Sequence, residues 1–263
     1  MGYSDPPWEF KGKALYQLSL VKVEDARKYV PAHIPLVQLF GYTLGGLYLA
    51  RYTDSPAGAF DELVALAGLA WNFPTSCAWA ARVYVNNASA RNHGLKVVGL
   101  PSRLASFRAV PKKVLNVQST KSRNTKKDWW SFGRNDMKKE EHVEYIEVHN
   151  REKGANGLRK KPVCSIQMPS DTSTVWKPSI QMFLPSYSGA TKLCPDLLKY
   201  SLRMFTKVSF TRPLVVHADE SNGDSSLEAL GTVLCGKPLL CMSFDTMNIQ
   251  VGKPEILPST SFR

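Results

Sequence analysis

Short segments that alternate apolar and polar residues recur along this chain, and they limit its fold more than any other feature. Gly and Pro, 17 of each among 263 residues, mark turns between them. Two segments, 24–30 and 195–205, have helix-like spacing and end residues. The pattern predicts a mainly β protein with few helices, built as a closed antiparallel barrel or as stacked sheets. Nine segments are strand-like: 46–52, 62–67, 77–85, 143–148, 163–168, 179–184, 206–211, 229–234 and 239–246.

The positive charge of the chain is concentrated in one region. Lys and Arg total 34 and Asp and Glu total 22, a net charge of +12. Residues 103–161 hold 16 basic and 7 acidic side chains, a surplus of +9, and segments 117–139 and 150–161 are predicted loops. These basic loops are expected to be solvated, or to face an anionic membrane or a protein partner. Nucleic acid is an unlikely partner, because no known nucleic-acid-binding motif accompanies the charge.

The sequence lacks the signals that are typical of several functional classes. The His and Cys residues are too scattered for a zinc site and no cofactor fingerprint is present, so we predict neither metal nor cofactor. No apolar run reaches the roughly 18 residues of a membrane helix. Residues 1–8 match no signal or transit peptide, which makes a cytoplasmic location the default expectation. No feature of the sequence indicates the oligomeric state.

The densest motifs lie within residues 40–107. They read GYTLGG (41–46), DSPAG (54–58), FDELV (60–64), PTSCAWAARV (74–83) and VGLPS (98–102). Over roughly residues 7–107 the chain resembles the plant neoxanthin-deficient proteins, within the acetoacetate decarboxylase-like superfamily. The resemblance implies a single domain over residues 1–263. It also implies a closed, cone-shaped antiparallel β-barrel with an internal cavity.

One departure from the superfamily pattern concerns the reaction. The decarboxylases form a Schiff base on a lysine pair that follows Gly-x-Pro, and here Ser102 and Arg103 occupy those positions. Serine cannot form an imine and arginine stays protonated. Leu95 and Lys96 stand where the decarboxylases carry Arg-Glu. The resemblance therefore implies the decarboxylase fold without the decarboxylase reaction.

The residues that share a strand face suggest a pair of charged side chains inside the barrel. Glu62 shares one face of its strand with Val64, and Arg51 shares one face of another with Leu49. A charge on an apolar face is either paired or lines a cavity. We therefore predict an Arg51–Glu62 pair inside the barrel, the alternative being a structural ion pair or a side chain that reaches solvent at a strand end.

Further ligand-binding candidates complete the predicted pocket. Arg103, beside Ser102, would hold an oxygen-rich ligand group, and Lys96 would replace the missing amine if it projects inward. Trp79 is either a core residue or part of the wall of an apolar cavity. Glu62, as general acid or base, and Ser102, as a weak nucleophile, are the candidate catalytic residues.

The resemblance implies a requirement for making the xanthophyll neoxanthin from violaxanthin, with a hydrophobic small molecule, a carotenoid, as ligand. Two roles remain open: a carotenoid-binding or accessory protein, or an enzyme that opens an epoxide through Glu62. The first is favoured, because no activated nucleophile is present. A further alternative is an enzyme of the decarboxylase fold that acts on a keto acid or an epoxide through Glu62 or Lys96, as a non-decarboxylating lyase or isomerase. A decarboxylase or aldolase that acts on a small keto acid through another lysine also remains open. Association with plastids is implied by the pathway alone.

Overall fold

The structure is a computed structural model that describes residues 3–72, 75–115, 140–152, 161–169, 177–218 and 225–257. The predicted loop 117–139 lies outside the described residues, as do residues 153–160 of the second basic loop. Within the described residues the helices are α1 (Val23–Ala26), α2 (Ala88–Lys96) and α3 (Ser225–Leu234). The strands are β1 (Trp8–Lys22), β2 (Tyr42–Asp54), β3 (Phe60–Asn72), β4 (Thr75–Val85), β5 (Ser102–Leu115), β6 (Glu140–Asn150), β7 (Cys164–Gln167), β8 (Ser179–Gly189), β9 (Leu197–Thr211), β10 (Val216–Ala218), β11 (Lys237–Val251) and β12 (Glu255–Ile256).

Seven strands close into a barrel in the order β1-β11-β9-β8-β4-β3-β2, and β2 pairs again with β1. Neighbours are antiparallel except β4 and β8, which pair in parallel at Ala78–Ser186 and Trp79–Tyr187. Among the described residues, the N-terminal half of β8 makes no pairing with β4. The prediction of a mainly β, closed barrel with few helices is confirmed.

The end of β4 connects the barrel to a second sheet. Val83, Tyr84 and Val85 pair in parallel with the start of β5, and β6, β7 and β10 follow β5 in that sheet. One apolar core lies between the outer face of the barrel, the second sheet, α1 and α3. The other apolar cluster lies on the inner face of the barrel. Strands β1, β2, β3 and β4 contribute buried residues to both cores.

Two element predictions are wrong. Residues 195–205 were expected to form a helix, but strand β9 begins at Leu197 and alternates buried Met204, Thr206 and Val208 with exposed residues between them. Pairing with β8 and β11 on both sides overrides the helix-like leucine spacing. Residues 229–234 were expected to form a strand, but they belong to α3, where Leu230, Val233 and Leu234 are buried at helical spacing.

The remaining differences concern the extent of the elements. The predicted helix 24–30 shortens to α1, which is followed by turns before Pro31. Strand β1, strand β5 and helix α2 had no counterpart in the sequence analysis. Among the described residues, no helix is long and apolar enough to cross a bilayer, and no cluster of His, Cys, Asp or Glu could hold a metal ion.

Candidate functional site

A cavity of about 580 Å³ occupies the barrel interior. Its wall is mainly aromatic and aliphatic, and among the described residues that line it Glu62 is the one carboxylate. No described lining residue is a lysine or an arginine. The cavity reaches the surface near Phe183 of β8, which lines it and is 61% exposed. The volume falls in the range of about 300–1,000 Å³ that is typical of small-molecule pockets.

The register between β2 and β3 places Glu62 opposite Ala50, on the inner face. Tyr52, on the same face, donates its hydroxyl hydrogen bond to Glu62 Oε2 over 2.9 Å. The hydroxyls of Tyr52 and Tyr48 lie 3.3 Å apart, and Tyr48 Oη is 3.2 Å from Met247 Sδ. A chain of hydroxyl groups therefore leads along the cavity wall to a single carboxyl group.

Burial gives this carboxyl group unusual acid–base properties. Glu62 lies deep in an apolar wall, and this burial raises its pKa to about 7, although the hydrogen bond from Tyr52 opposes the rise. Burial also raises the pKa of Tyr52, Tyr48 and Tyr200, and the nearby Glu62 carboxylate adds to each increase. Glu62 can therefore donate or accept a proton near neutral pH, while the tyrosines remain neutral hydrogen-bonding groups.

Aromatic rings pack where the cavity is bounded by α2 and by the residues that precede β1. The rings of Tyr3 and His93 stack with centroids 3.5 Å apart, and Trp8 meets His93 edge-on at 4.4 Å. Burial lowers the pKa of His93 to about 4, so its imidazole is neutral at pH 7. Among the described groups, none hydrogen-bonds its buried Nε2. Tyr3, Trp8 and His93 were not predicted as pocket residues, because only tertiary structure brings Tyr3 to α2.

Ser102 lies on the cavity wall, as expected for a pocket residue, and it is buried. Its Oγ lies beneath Gly94 of α2, where a Cβ at residue 94 would come within 2.4 Å of it. Glu62 and Ser102 therefore both line the same cavity. The catalytic roles predicted for both remain predictions.

The predicted Arg51–Glu62 ion pair is wrong. Arg51 is aligned with Asp61 rather than with Glu62, and its Nε donates to Asp61 Oδ1 over 2.7 Å on the outer face. Leu47 and Leu49, which share its face, pack in the core outside the barrel. The alternation within each strand does not fix the register between β2 and β3. A shift of one residue in register moves a side chain to the other face of a sheet.

Three further candidates lie away from the cavity. Arg103 is exposed and its Nη1 donates to Glu152 Oε2 over 2.7 Å, while Arg91 Nε donates to Glu152 Oε1 over 2.9 Å. Burial acts to raise the pKa of Glu152, but these arginines and the Leu104 N–H lower it on balance. Lys96 is exposed at the end of α2. Trp79 is buried in the core outside the barrel, where its Nε1 donates to the Tyr29 carbonyl over 3.0 Å.

The tyrosines are the functional residues that the sequence analysis missed. Tyr48 and Tyr52 alternate with Leu47, Leu49 and Arg51 on β2, and this alternation was visible in the sequence. It could not indicate which of the two faces is the inner one, because both are apolar.

No protein-family model matches the chain. It is 40% identical over 278 residues to "Protein NEOXANTHIN-DEFICIENT 1" of Arabidopsis thaliana, covering 97% of this chain and 95% of the relative. It is also 40% identical over 287 residues to the protein of the same name from Solanum lycopersicum, covering 99% of this chain and 95% of that protein. Both alignments span the β2–β5 region as well as the second half of the chain.

Solved structures share the fold at low sequence identity. An acetoacetate decarboxylase superposes with a TM-score of 0.57 at 12% identity, covering 97% of this chain and 91% of the other. An acetoacetate decarboxylase-like enzyme from Sphingomonas wittichii RW1 gives 0.58 at 11% identity, covering 97% and 94%. These values show a common fold and carry no information on the reaction.

Proposed function

The chain belongs to the NEOXANTHIN-DEFICIENT 1 family, and we propose that its barrel cavity binds an oxygenated end group of a carotenoid. In this role the protein acts as a carotenoid-binding or accessory factor in the formation of neoxanthin from violaxanthin. The names of the curated relatives support the connection to neoxanthin. The pathway would bring such a protein to plastids.

The cavity is the observation that carries the proposal. A wall of aromatic and aliphatic side chains suits a hydrocarbon ring and the start of a polyene chain. The Tyr52–Glu62 pair is the polar group in that wall, and it can exchange hydrogen bonds with a hydroxyl or epoxide oxygen. Because Glu62 has a pKa of about 7, it can donate to such an oxygen as well as accept from it.

The residues around the cavity argue against imine chemistry. Ser102 occupies the position that the resemblance assigns to the Schiff-base lysine, and no described lining residue carries a primary amine. Lys96, the alternative amine, is exposed on α2. We expect borohydride reduction in the presence of acetoacetate to leave the mass of the protein unchanged. A covalent adduct on any lysine would contradict this.

Titration with violaxanthin tests the binding proposal. We expect the visible absorption bands to shift when the polyene leaves detergent for the cavity. Glu62→Leu should weaken binding by about 10-fold, since the ligand oxygen loses a hydrogen-bond partner worth roughly 1–2 kcal/mol. Asp61→Asn is the matched control on the outer face and should bind like the wild type. The proposal fails if the wild type gives no shift, or if Glu62→Leu binds as tightly as Asp61→Asn.

An epoxide-opening isomerase is the second candidate, and the pKa of Glu62 favours it. The Glu62 carboxylic acid would protonate the epoxide oxygen as one C–O bond breaks. The resulting carboxylate would then take a proton from the adjacent chain carbon, leaving an alcohol and an allene with no net change in atoms. The same incubation, separated by chromatography, should then contain an isomer of violaxanthin that Glu62→Gln does not form. Binding without an isomer would favour the accessory role.

A further inference from the structure

A tight turn between β1 and β2 presents an exposed aromatic side chain. The Leu39 N–H donates to the Tyr42 carbonyl over 2.8 Å, and the Tyr42 N–H donates to the Leu39 carbonyl over 3.0 Å. The two central residues, Phe40 at φ 49° and Gly41 at φ 79°, are both left-handed, as in a type I′ turn. Phe40 is 90% exposed and Leu39 is 69% exposed.

Neither turn geometry nor packing accounts for Phe40. Type I′ turns prefer Asn, Asp or Gly at this position, and a bulky residue with positive φ is strained. An exposed ring recovers little of that strain through contacts within the chain. Strain of this kind, kept at an exposed site, indicates that the side chain serves a function outside folding.

Strand directions place other exposed apolar side chains at the same end of the barrel. Trp71, near the end of β3, is 46% exposed, and Phe210, near the end of β9, is 65% exposed. Leu239, near the start of β11, is 52% exposed. At the opposite end Trp8 and Phe60 are buried, while Leu193 and Ile256 are exposed. We refer to Leu39, Phe40, Trp71, Phe210 and Leu239 as the apolar rim.

The cavity opens toward this end. Its mouth lies beside the N-terminal half of β8, which runs from the rim end of the barrel, and Phe183 of that strand is exposed. Ser76, at the rim end of β4, also lines the cavity. A ligand that enters through this mouth therefore arrives from the side of the apolar rim.

Basic side chains accompany the rim. Lys22 ends β1, Arg212 follows β9 and Lys237 begins β11, and all three are exposed. Lys22 is paired with the exposed Glu24 over 3.4 Å. Exposed apolar side chains close to exposed lysine and arginine match the two layers of a bilayer surface. In that surface, acyl chains lie beneath anionic headgroups. A folded protein partner would match the apolar residues, but it would not by itself explain the charge.

We propose that the apolar rim docks onto the surface of an anionic lipid bilayer, with Phe40 and Leu39 inserted among the lipids and the cavity mouth held at that surface. This goes beyond the proposed function and does not require the ligand to be a carotenoid. It differs from the earlier expectation of membrane contact through the basic loops, because the rim consists of described residues on the barrel itself. Binding of this kind is peripheral and reversible.

Vesicle co-sedimentation of the full chain tests the proposal. The vesicles contain phosphatidylcholine with phosphatidylglycerol, or phosphatidylcholine alone, and no carotenoid. We expect the wild type to bind the mixed vesicles, and Phe40→Asn to bind about 10-fold more weakly or worse, since one buried aromatic side chain is lost. Leu193→Ser is the matched control, because Leu193 is 63% exposed at the opposite end of the barrel, and its binding should equal that of the wild type.

The Phe40→Asn variant also distinguishes a loss of vesicle binding from a loss of folded structure. Asn-Gly is the preferred pair for a type I′ turn, so the variant should unfold at the same temperature as the wild type or at a higher one. High salt should weaken wild-type binding to the mixed vesicles, since the basic residues contribute through screened charges.

Three results would overturn the proposal. The first is absence of wild-type binding to both kinds of vesicle. The second is equal binding by Phe40→Asn and wild type. The third is self-association that depends on Phe40 without vesicle binding, which would assign the rim to a second copy of the chain. Because the vesicles contain no carotenoid, none of these results bears on the proposed ligand.

Discussion

Two hydrogen-bonded pairs on β2 and β3 lie one residue apart in sequence and on opposite faces of the same sheet. On the outer face, Arg51 Nε donates to Asp61 Oδ1 over 2.7 Å, and the Arg51 side chain is 59% exposed. On the inner face, Tyr52 Oη donates to Glu62 Oε2 over 2.9 Å at the cavity wall. The geometry of the two hydrogen bonds is similar, but the surroundings of the two carboxyl groups are not.

Access to water and the charge of the partner decide what each carboxyl group can do. Asp61 faces a permanent cation near solvent, where an ion pair contributes about 0–1 kcal/mol to stability. Glu62 faces a neutral hydroxyl in an apolar wall, and burial raises its pKa to about 7. Only the inner carboxyl group can exchange protons with a ligand near neutral pH.

Glu62→Gln should give the largest effect and would sharpen the contrast. The pKa of Glu62 is higher in the folded protein, about 7, than its ordinary value of 4.5. The folded state therefore holds more protons between these values, and wild-type stability should fall as pH rises from 4.5 to 7, by up to about 3 kcal/mol. Glu62→Gln should remove this slope and be more stable than the wild type at pH 8.

Urea unfolding across that pH range measures the effect. Asp61→Asn, the outer-face control, should keep the slope of the wild type. Equal slopes for the wild type and Glu62→Gln would contradict the raised pKa and with it the distinction between the two faces.

Tyr52→Phe should have the next largest effect. The variant removes the donor to Glu62 and leaves a buried acceptor unsatisfied, at a cost of about 1–3 kcal/mol in the free energy of unfolding. The pKa of Glu62 should rise further, because the hydrogen bond from Tyr52 lowers it. Infrared titration of the protonated carboxyl band measures that shift. Tyr42→Phe, at the exposed start of β2, should change neither quantity by a measurable amount, and an equal effect in both variants would rule out the special role of Tyr52.

Arg51→Ala should have the smallest effect. An exposed ion pair on the outer face contributes less than about 1 kcal/mol, so the urea midpoint should move little. Violaxanthin affinity should be unchanged, since Arg51 does not line the cavity. A substantial loss of affinity in this variant would contradict the functional difference between the two faces, because the outer ion pair would then affect ligand binding in the cavity.

Local patterns were enough to predict part of the fold. The period-2 alternation in β2, β3 and β4 was visible because each of these strands is long and rich in apolar residues. The same reasoning failed at β9, where Leu197, Leu198 and Leu202 also suit a helix face. It failed in the opposite sense at α3, where Leu230, Val233 and Leu234 are buried at helical spacing in a segment predicted as a strand. At β9 the pairing with β8 and β11, rather than the segment itself, selects the conformation.

The site was predictable to a smaller extent. Glu62 and Ser102 were named from sequence and both line the cavity, whereas Arg51, Lys96, Arg103 and Trp79 do not. A strand that is apolar on both faces does not indicate which face lines the barrel interior. The contacts of Tyr3 with His93 join residues ninety positions apart, and no local pattern reports them.

The sequence by itself determined the fold class, the family resemblance and the replacement of the Schiff-base lysine by Ser102, because these depend on residue identity and local periodicity. Only the tertiary structure decided that Glu62 faces inward beside Tyr52 while Arg51 faces outward to Asp61. It also placed the apolar rim at the end of the barrel where the cavity opens. Register and barrel closure depend on pairing between distant strands, and a shift of one residue would exchange the two faces of a strand.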